Sequence, residues 1–258
     1  MQNLNVTLVQ TELDWEDIPA NLQRFDRILG RIQDDTDLIV LPEMFTTGFS
    51  MNAERLAEDM RGSGVAWMRA KAQNLKVDLV GSMIIADKKR YFNRLCWVKP
   101  DGTLTHYDKR HLFRMAGEHH HYASGTERIT VQLHGWNIRP FTCYDLRFPA
   151  WTRNHGNEYD LALCIANWPA KRAAHWKILL QARAVENLAY VVGVNRIGTD
   201  GNGLYYSGDS SVFDPAGGML YRNAHAFGCH TLTLDADFLQ TYRNAFPAWK
   251  DMDDIVLR

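Results

Sequence analysis

The sequence predicts a protein in which helices and strands share one domain, built as two β-sheets with helices outside them. Three observations carry this. Leu38-Ile39-Val40-Leu41 and Leu161 to Ala166 are continuous apolar runs of strand length, the pattern of strands covered on both faces. Segments of helical period lie between most of the strands, which places helices outside a sheet. From Leu204 onward, short strands separated by turns rich in Gly, Pro, Asp and Asn dominate. No linker, solenoid-length repeat or low-complexity stretch divides residues 1–258, and 46% hydrophobic residues suffice for a substantial core.

The elements follow in order. Leu4 to Thr11 alternates as a strand, and Pro19 opens a helix with an apolar stripe of Leu22, Phe25, Ile28, Leu29 and Ile32. The strand Leu38 to Leu41 ends at Pro42, with Glu43 next. Val65, Met68, Ala72 and Leu75 mark a second helix, and Leu79 to Ala86 a strand. Tyr91 to Val98 turns through Lys99-Pro100-Asp101-Gly102 into Thr103 to Tyr107, a hairpin. Trp136 to Phe141 is a buried strand that runs into Thr142-Cys143-Tyr144-Asp145, and Leu146 to about Asn154 reads as helical. After Leu161 to Ala166 come a helix at Ala174 to Leu188 and a strand at Tyr190 to Asn195. Strands at Ser210 to Phe213, Met219 to Arg222 and His230 to Leu234 follow, then a helix over Asp235 to Asn244.

Composition excludes several classes of function. With 29 Lys plus Arg against 30 Asp plus Glu, the net charge is −1, which gives no attraction to nucleic acid or an anionic membrane. No apolar run approaches the ~20 residues of a membrane span, and Met1 to Val6 lacks the features of a signal peptide. Cys96, Cys143, Cys164 and Cys229 are widely spaced, so they read as reduced thiols of a cytoplasmic protein.

Chemistry concentrates around Cys143. A lone cysteine reads as packing. One between a strand and a helix start, however, sits near unpaired N–H groups that favour its thiolate, with the next backbone N–H facing the same point. Glu43, Lys109 and Glu118 would each be unremarkable alone. With Cys143 they make a device for cleaving a C–N bond: a thiol nucleophile, a glutamate as base and then acid, and a lysine with the Tyr144 N–H as oxyanion donors. No metal or organic cofactor is needed for these steps.

Leu41-Pro42-Glu43-Met44-Phe45, Tyr107-Asp108-Lys109-Arg110-His111-Leu112-Phe113 and Cys143-Tyr144-Asp145-Leu146-Arg147-Phe148-Pro149 resemble, in order, the three signature regions of the nitrilase superfamily of carbon–nitrogen hydrolases. The resemblance continues through Asn167-Trp168-Pro169, His175-Trp176, Ala182 to Asn187 and Gly208 to Pro215. It implies a four-layer α-β-β-α sandwich, pairing into homodimers through helices near the nucleophile. It also implies Cys143 as nucleophile, Glu43 as base, Lys109 as oxyanion donor and Glu118 as the second glutamate. The wording is most similar to the omega-amidase branch, which implies hydrolysis of the terminal amide of 2-oxoglutaramate or 2-oxosuccinamate. A carbamoylase or a true nitrilase would carry the same catalytic residues. A binding subunit would keep the fold without turnover, and the intact set argues against it.

Such a substrate carries a carboxylate, so a cation near Cys143 is required. Arg147 either pairs with Asp145 to pin the turn or reaches the carboxylate with its two-pronged head, and we favour the second. Lys171 and Arg172 are further candidates, or an ordinary exposed basic pair. Phe113 and Trp168 read as pocket walls or core. In the run Glu118-His119-His120-His121 adjacent histidines share a metal poorly; His119 and His121 have the i, i+2 spacing of strand ligands, but we read the histidines as a polar rim of the pocket. Cys96, Cys164 and Cys229 are read as packing.

Overall fold

The computed structural model describes residues 1–253. The first sheet's early strands are β1 (Leu4–Gln10), β2 (Leu38–Val40), β3 (Asp78–Asp87), β4 (Arg90–Val98) and β5 (Leu104–Asp108). The second sheet begins with β6 (Val131–Leu133), β7 (Trp136–Thr142), β8 (Leu161–Ala166) and β9 (Tyr190–Asn195). It continues with β10 (Ile197–Thr199), β11 (Tyr205–Phe213) and β12 (Met219–Ala224), and β13 (Gly228–Leu234) returns to the first sheet. The helices are α1 (Ile18–Leu29), α2 (Ala53–Leu56), α3 (Ser63–Leu75), α4 (Glu118–His121), α5 (Pro149–Thr152), α6 (Ala173–Asn187) and α7 (Ala236–Ala245).

The first sheet runs β13-β1-β2-β3-β4-β5 and the second β10-β11-β9-β8-β7-β6, with β12 on β11. Each is built on a parallel triplet, β1-β2-β3 and β7-β8-β9, with antiparallel strands added outside. The period of two along each strand divides the first sheet's residues between two cores. Leu4, Val6, Leu8, Leu38, Val40, Val80, Leu95 and Trp97 meet Trp136, Ile138, Leu163 and Val192 of the second sheet. Their neighbours Val9, Ile39, Leu79, Cys96 and Val98 face the other way, onto Phe25 and Leu29 of α1 and Val65, Met68 and Ala72 of α3. On the far side, α6 lays Trp176, Leu180 and Ala184 on β9 and β11. A Cβ at Gly193 of β9 would stand 2.5 Å from the Leu180 side chain, so this close approach requires glycine. The result is a four-layer α-β-β-α sandwich, as the resemblance implied.

Helix starts obey local chemistry. The Asp17 carboxylate accepts the Ala20 N–H (3.0 Å), and Pro19 occupies the first turn of α1. Two short strands, β6 and β10, escaped the sequence pattern because three residues are too few to show a period. The stretch after Cys143 is the larger difference. In place of one helix to Asn154, a 3-10 turn spans Cys143–Arg147 and a single-turn α5 follows. Phe148 (φ −112°, ψ 89°) precedes Pro149, and a residue before proline is pushed out of the helical region. Cys143 therefore has, among the described residues, no α-helix N-terminus beside it to favour a thiolate.

Candidate active site

The parallel strands end on one side of the sandwich, where ligands of α/β sheets commonly bind. Beyond β2 comes Glu43, beyond β7 Cys143, beyond β8 Asn167, and β9 ends at Asn195. Lys109 follows β5, where its N–H donates to the Asn93 carbonyl (3.0 Å) and extends the β4–β5 ladder by one residue. Gly125 presses against this segment from outside, since a Cβ there would lie 2.0 Å from the Asp108 carbonyl oxygen.

Four predicted residues are brought together here. The Lys109 ammonium donates to Glu43 Oε1 (2.9 Å) and to both oxygens of Glu118 (3.0 Å each). All three residues are at most 1% exposed. Burial alone would lower the lysine, but Glu118 and Glu43 outweigh it and hold the ammonium well above its ordinary value. Glu118 is raised by burial, with Lys109 opposing and Glu43 adding. Its Oε2 also accepts the Phe113 N–H (2.5 Å). Glu43 Oε1 accepts Asn93 Nδ2 (2.7 Å) and its Oε2 accepts the Asn167 N–H (2.7 Å).

Cys143 sits at the turn with φ +47°, a left-handed conformation that costs a non-glycine residue on the order of 1 kcal/mol. It is the strained strand-to-turn geometry by which a nucleophile is lifted from a sheet edge. Burial, then the Glu43 carboxylate, push its thiol well above the ordinary range, with Lys109 opposing. The push is toward the thiol, the reverse of the thiolate expected from a helix terminus. Burial likewise pushes Cys96 up to about 12 and Cys229 up to about 11, but neither has the Glu–Lys pair beside it. Cys96 and Cys164 are buried in the cores and Cys229 packs beside one.

Asp145 holds the turn. Its Oδ2 accepts the Thr142 N–H (3.0 Å) and the Tyr107 hydroxyl (2.7 Å), and its Oδ1 accepts the His111 N–H (2.9 Å). The His111 ring Nδ1 lies 2.8 Å from the same Oδ1, and the ring stacks on Phe148. Asp145 therefore ties the Lys109 loop to the Cys143 turn and leaves Arg147 alone.

Arg147 instead lies 4.7 Å over the Trp168 ring and donates to His175 Nδ1 (2.9 Å). Arg172 lies 5.1 Å over the Phe113 ring, and burial, then Arg147, lower it. Arg147, Arg172 and Lys171 line a pocket of about 500 Å³ with Cys143 and Tyr144 on its wall. Among the described residues, none of the three cations pairs with a carboxylate. Phe113 and Trp168 line the same pocket; Trp168 is also 3% exposed core, so wall and core are one role. His119, His120 and His121 do not line it, because α4 turns Glu118 inward and carries the histidines past it. The polar-rim reading of that run is corrected.

Sequence reasoning passed over three asparagines and the far wall. Asn195 Oδ1 accepts the Trp168 N–H (2.8 Å) and its Nδ2 donates to the Trp168 carbonyl (3.0 Å), which fixes that ring. On the far wall, Tyr206 donates to Asp200 (2.9 Å), which also accepts the N–H groups of Asn202 and Leu204. Asn93 carried a signal, a polar amide inside the apolar strand Tyr91 to Val98. Asn167 and Asn195 carried the same signal as Glu43, a polar residue where a buried strand ends.

A family model described as carbon-nitrogen hydrolase matches residues 5–244. Over 260 residues, covering all of both chains, the sequence is 50% identical to a protein of Escherichia coli (strain K12) named omega-amidase YafV. It is 29% identical over 251 residues, 96% of each chain, to a 2-oxoglutaramate amidase of Bacillus subtilis (strain 168). A crystal structure of a CN-hydrolase superfamily protein from Xanthomonas campestris, with an arsenic adduct in its active site, superposes with a TM-score of 0.98 at 44% identity, covering all of both chains. The family model spans nearly the whole chain and the Escherichia coli relative matches it from end to end, so the chain is an enzyme of the carbon-nitrogen hydrolase family.

Proposed function

We propose that this enzyme is an omega-amidase, hydrolysing the terminal amide of 2-oxoglutaramate or 2-oxosuccinamate through a thioester on Cys143. The observation that carries this reading is a buried Glu–Lys–Cys cluster beside a pocket whose three cations have no carboxylate partner among the described residues. A 2-oxo acid monoamide has the matching shape, a carboxylate at one end and a neutral amide at the other. The named activities of the two curated relatives support the same substrates.

In the reaction, Glu43 takes the thiol proton as sulfur bonds to the amide carbon. The carbonyl π electrons become an oxyanion held by Lys109 and the Tyr144 N–H. Glu43 returns its proton to nitrogen, the C–N bond breaks and ammonia leaves. Water then attacks the thioester and gives its proton to Glu43. Collapse frees the carboxylic acid, which ionises, and the thiolate recovers its proton from Glu43. Glu118 holds Lys109 in place. Phe113 and Trp168 wall the substrate, while Arg147, Lys171 and Arg172 receive its carboxylate.

The test is a panel of small amides, nitriles and carbamoyl compounds assayed for ammonia, with Cys143→Ala as control. Ammonia from the 2-oxo acid amides without carbon dioxide is expected. So is an acyl adduct in the intact mass of quenched wild-type enzyme, absent from the variant. Turnover by Cys143→Ala, or carbon dioxide release from carbamoyl compounds as the main activity, overturns the reading.

We further propose a homodimer joined at the outer face of α6. Ile178 (64% exposed) and Val185 (48%), seven residues apart on one helix face, support this. Light scattering of wild type and Ile178→Asp checks it. Four cysteines without a disulfide among the described residues support a reducing, cytoplasmic setting.

A further inference from the structure

We propose that Asn93 is a positioning residue for the reaction: its amide bridges Glu43 and Glu118, so that Lys109 can turn one N–H to the oxyanion without abandoning the base. This rests on the Cys143 reading above and deepens it.

A lysine ammonium has three N–H groups. Three carboxylate oxygens lie 2.9–3.0 Å from Lys109 Nζ, one on Glu43 and two on Glu118, so every donor is engaged before substrate arrives. An N–H for the oxyanion must be taken from one of them. Surrendering Glu43 would loosen the base during the step that uses it. Surrendering one oxygen of Glu118 keeps the lysine on both acids, provided that other donors remain on that carboxylate. They do: Oε2 keeps the Phe113 N–H (2.5 Å) and Oε1 keeps Asn93 Nδ2 (3.4 Å). The same Nδ2 is 2.7 Å from Glu43 Oε1. Both Glu118 oxygens meet only donors, so despite the upward push of burial the arrangement is built around its ionised form.

Asn93 is suited to this by its place in β4. Its side chain falls on the same strand face as Leu95 and Trp97, which point into the core between the sheets. A polar group there is costly unless paired. Its main-chain carbonyl also accepts the Lys109 N–H (3.0 Å), so one residue fixes the lysine's backbone and the acids its side chain touches. The two carboxylates force the amide to present Nδ2. Oδ1 is consequently left buried without a partner among the described residues. Leucine, of nearly the same shape, would strand no such atom, so packing alone does not account for asparagine here.

The test is single-turnover formation of the acyl-enzyme, with KM and the pH profile of kcat/KM, in Asn93→Leu and Asn93→Ser. Loss of one donor to a charged group corresponds to roughly ten- to a hundredfold slower acylation in Asn93→Leu. KM should change by less than threefold. The acid limb of kcat/KM should move to higher pH, because Glu118, already raised by burial, has lost a donor to its charged form. Asn93→Ser, a donor too short to reach both carboxylates, should fall between wild type and the leucine variant. Overturning results are wild-type acylation and an unmoved acid limb in folded Asn93→Leu, or equal losses in KM and rate with a lowered melting temperature. If Asn93→Leu does not fold, Asn93→Ser decides alone: slowed acylation at unchanged KM supports the proposal, and a wild-type rate and pH profile overturns it. Cys143→Ala in the same assay separates the two levels, since turnover there removes the nucleophile reading itself.

Discussion

Replacing Arg147 by alanine removes one of the three cations that line the pocket, and its surroundings set the size of the effect. The guanidinium stacks over Trp168 (4.7 Å) and donates to His175 Nδ1 (2.9 Å), so it is held in place before substrate binds. A charge-assisted hydrogen bond to a substrate carboxylate contributes on the order of 1.5–3 kcal/mol, and about 1.4 kcal/mol is tenfold. The expected fall in kcat/KM with a 2-oxo acid amide is therefore roughly ten- to a hundredfold. A neutral analogue lacking the carboxylate should lose little. Arg172 is close enough for Arg147 to lower its pKa, so it can take over part of the anion. This favours the lower end for the single variant, and the losses of Arg147→Ala and Arg172→Ala should not add. Exposed Lys171 should matter least. The assay is ammonia release at matched ionic strength with both substrates. Equal loss with the acid and the neutral amide would refute the reasoning, and would assign Arg147 to bracing Trp168. Pinning of the turn through Asp145 is no longer the fallback, because Asp145 is engaged elsewhere.

Glu43→Gln should stop acyl-enzyme formation, whereas Glu118→Gln should slow it while leaving measurable acylation; quenched-flow mass spectrometry separates them, and equal acylation in Glu43→Gln and wild type contradicts the base assignment. Asp145→Ala leaves the buried donors of Thr142 and Tyr107, and the half-buried N–H of His111, without their acceptor, which costs about 3 kcal/mol or more by urea unfolding and activity with it. Asp78 is raised by burial, with the Trp97 indole (2.6 Å) opposing. A carboxylate whose folded pKa is raised stabilises the fold below its ordinary value of 3.8 and loses that contribution as pH climbs through the folded value. Asp78→Asn should therefore raise the melting temperature at pH 7, with the gain vanishing below about pH 3.8; an equal gain at both pH values would refute it.

The division between what was local and what was not follows from the range of each signal. Leu38 to Val40 and Leu161 to Ala166 read as doubly covered strands because burial on both faces leaves no polar alternation, and each run sits in the middle of its sheet. The stripe of α1 reads as a helix because Phe25 and Leu29 meet one core at a spacing the chain sets by itself. Glu43, Lys109 and Cys143 each follow a strand and Glu118 lies in the loop beyond; none was telling alone, and only the set and its motifs singled them out. Pairing is different in kind, since it depends on side chains brought together from far along the chain. Asp145 had Arg147 two residues away, yet the register of β5 against β4 delivered Tyr107 and His111 from more than thirty positions upstream. Asn93 showed only as a polar amide in an apolar strand, and its partners came into view once β4 lay beside Lys109 and across from Glu43. The stretch Leu146 to about Asn154 read as helical, but the residue before Pro149 leaves the helical region and a 3-10 turn over Cys143–Arg147 takes its start. Burial and the Glu43 carboxylate, which comes from another strand end, push the thiol up where a helix terminus would have lowered it. No local pattern encodes it, because the groups that set it belong to the opposite sheet.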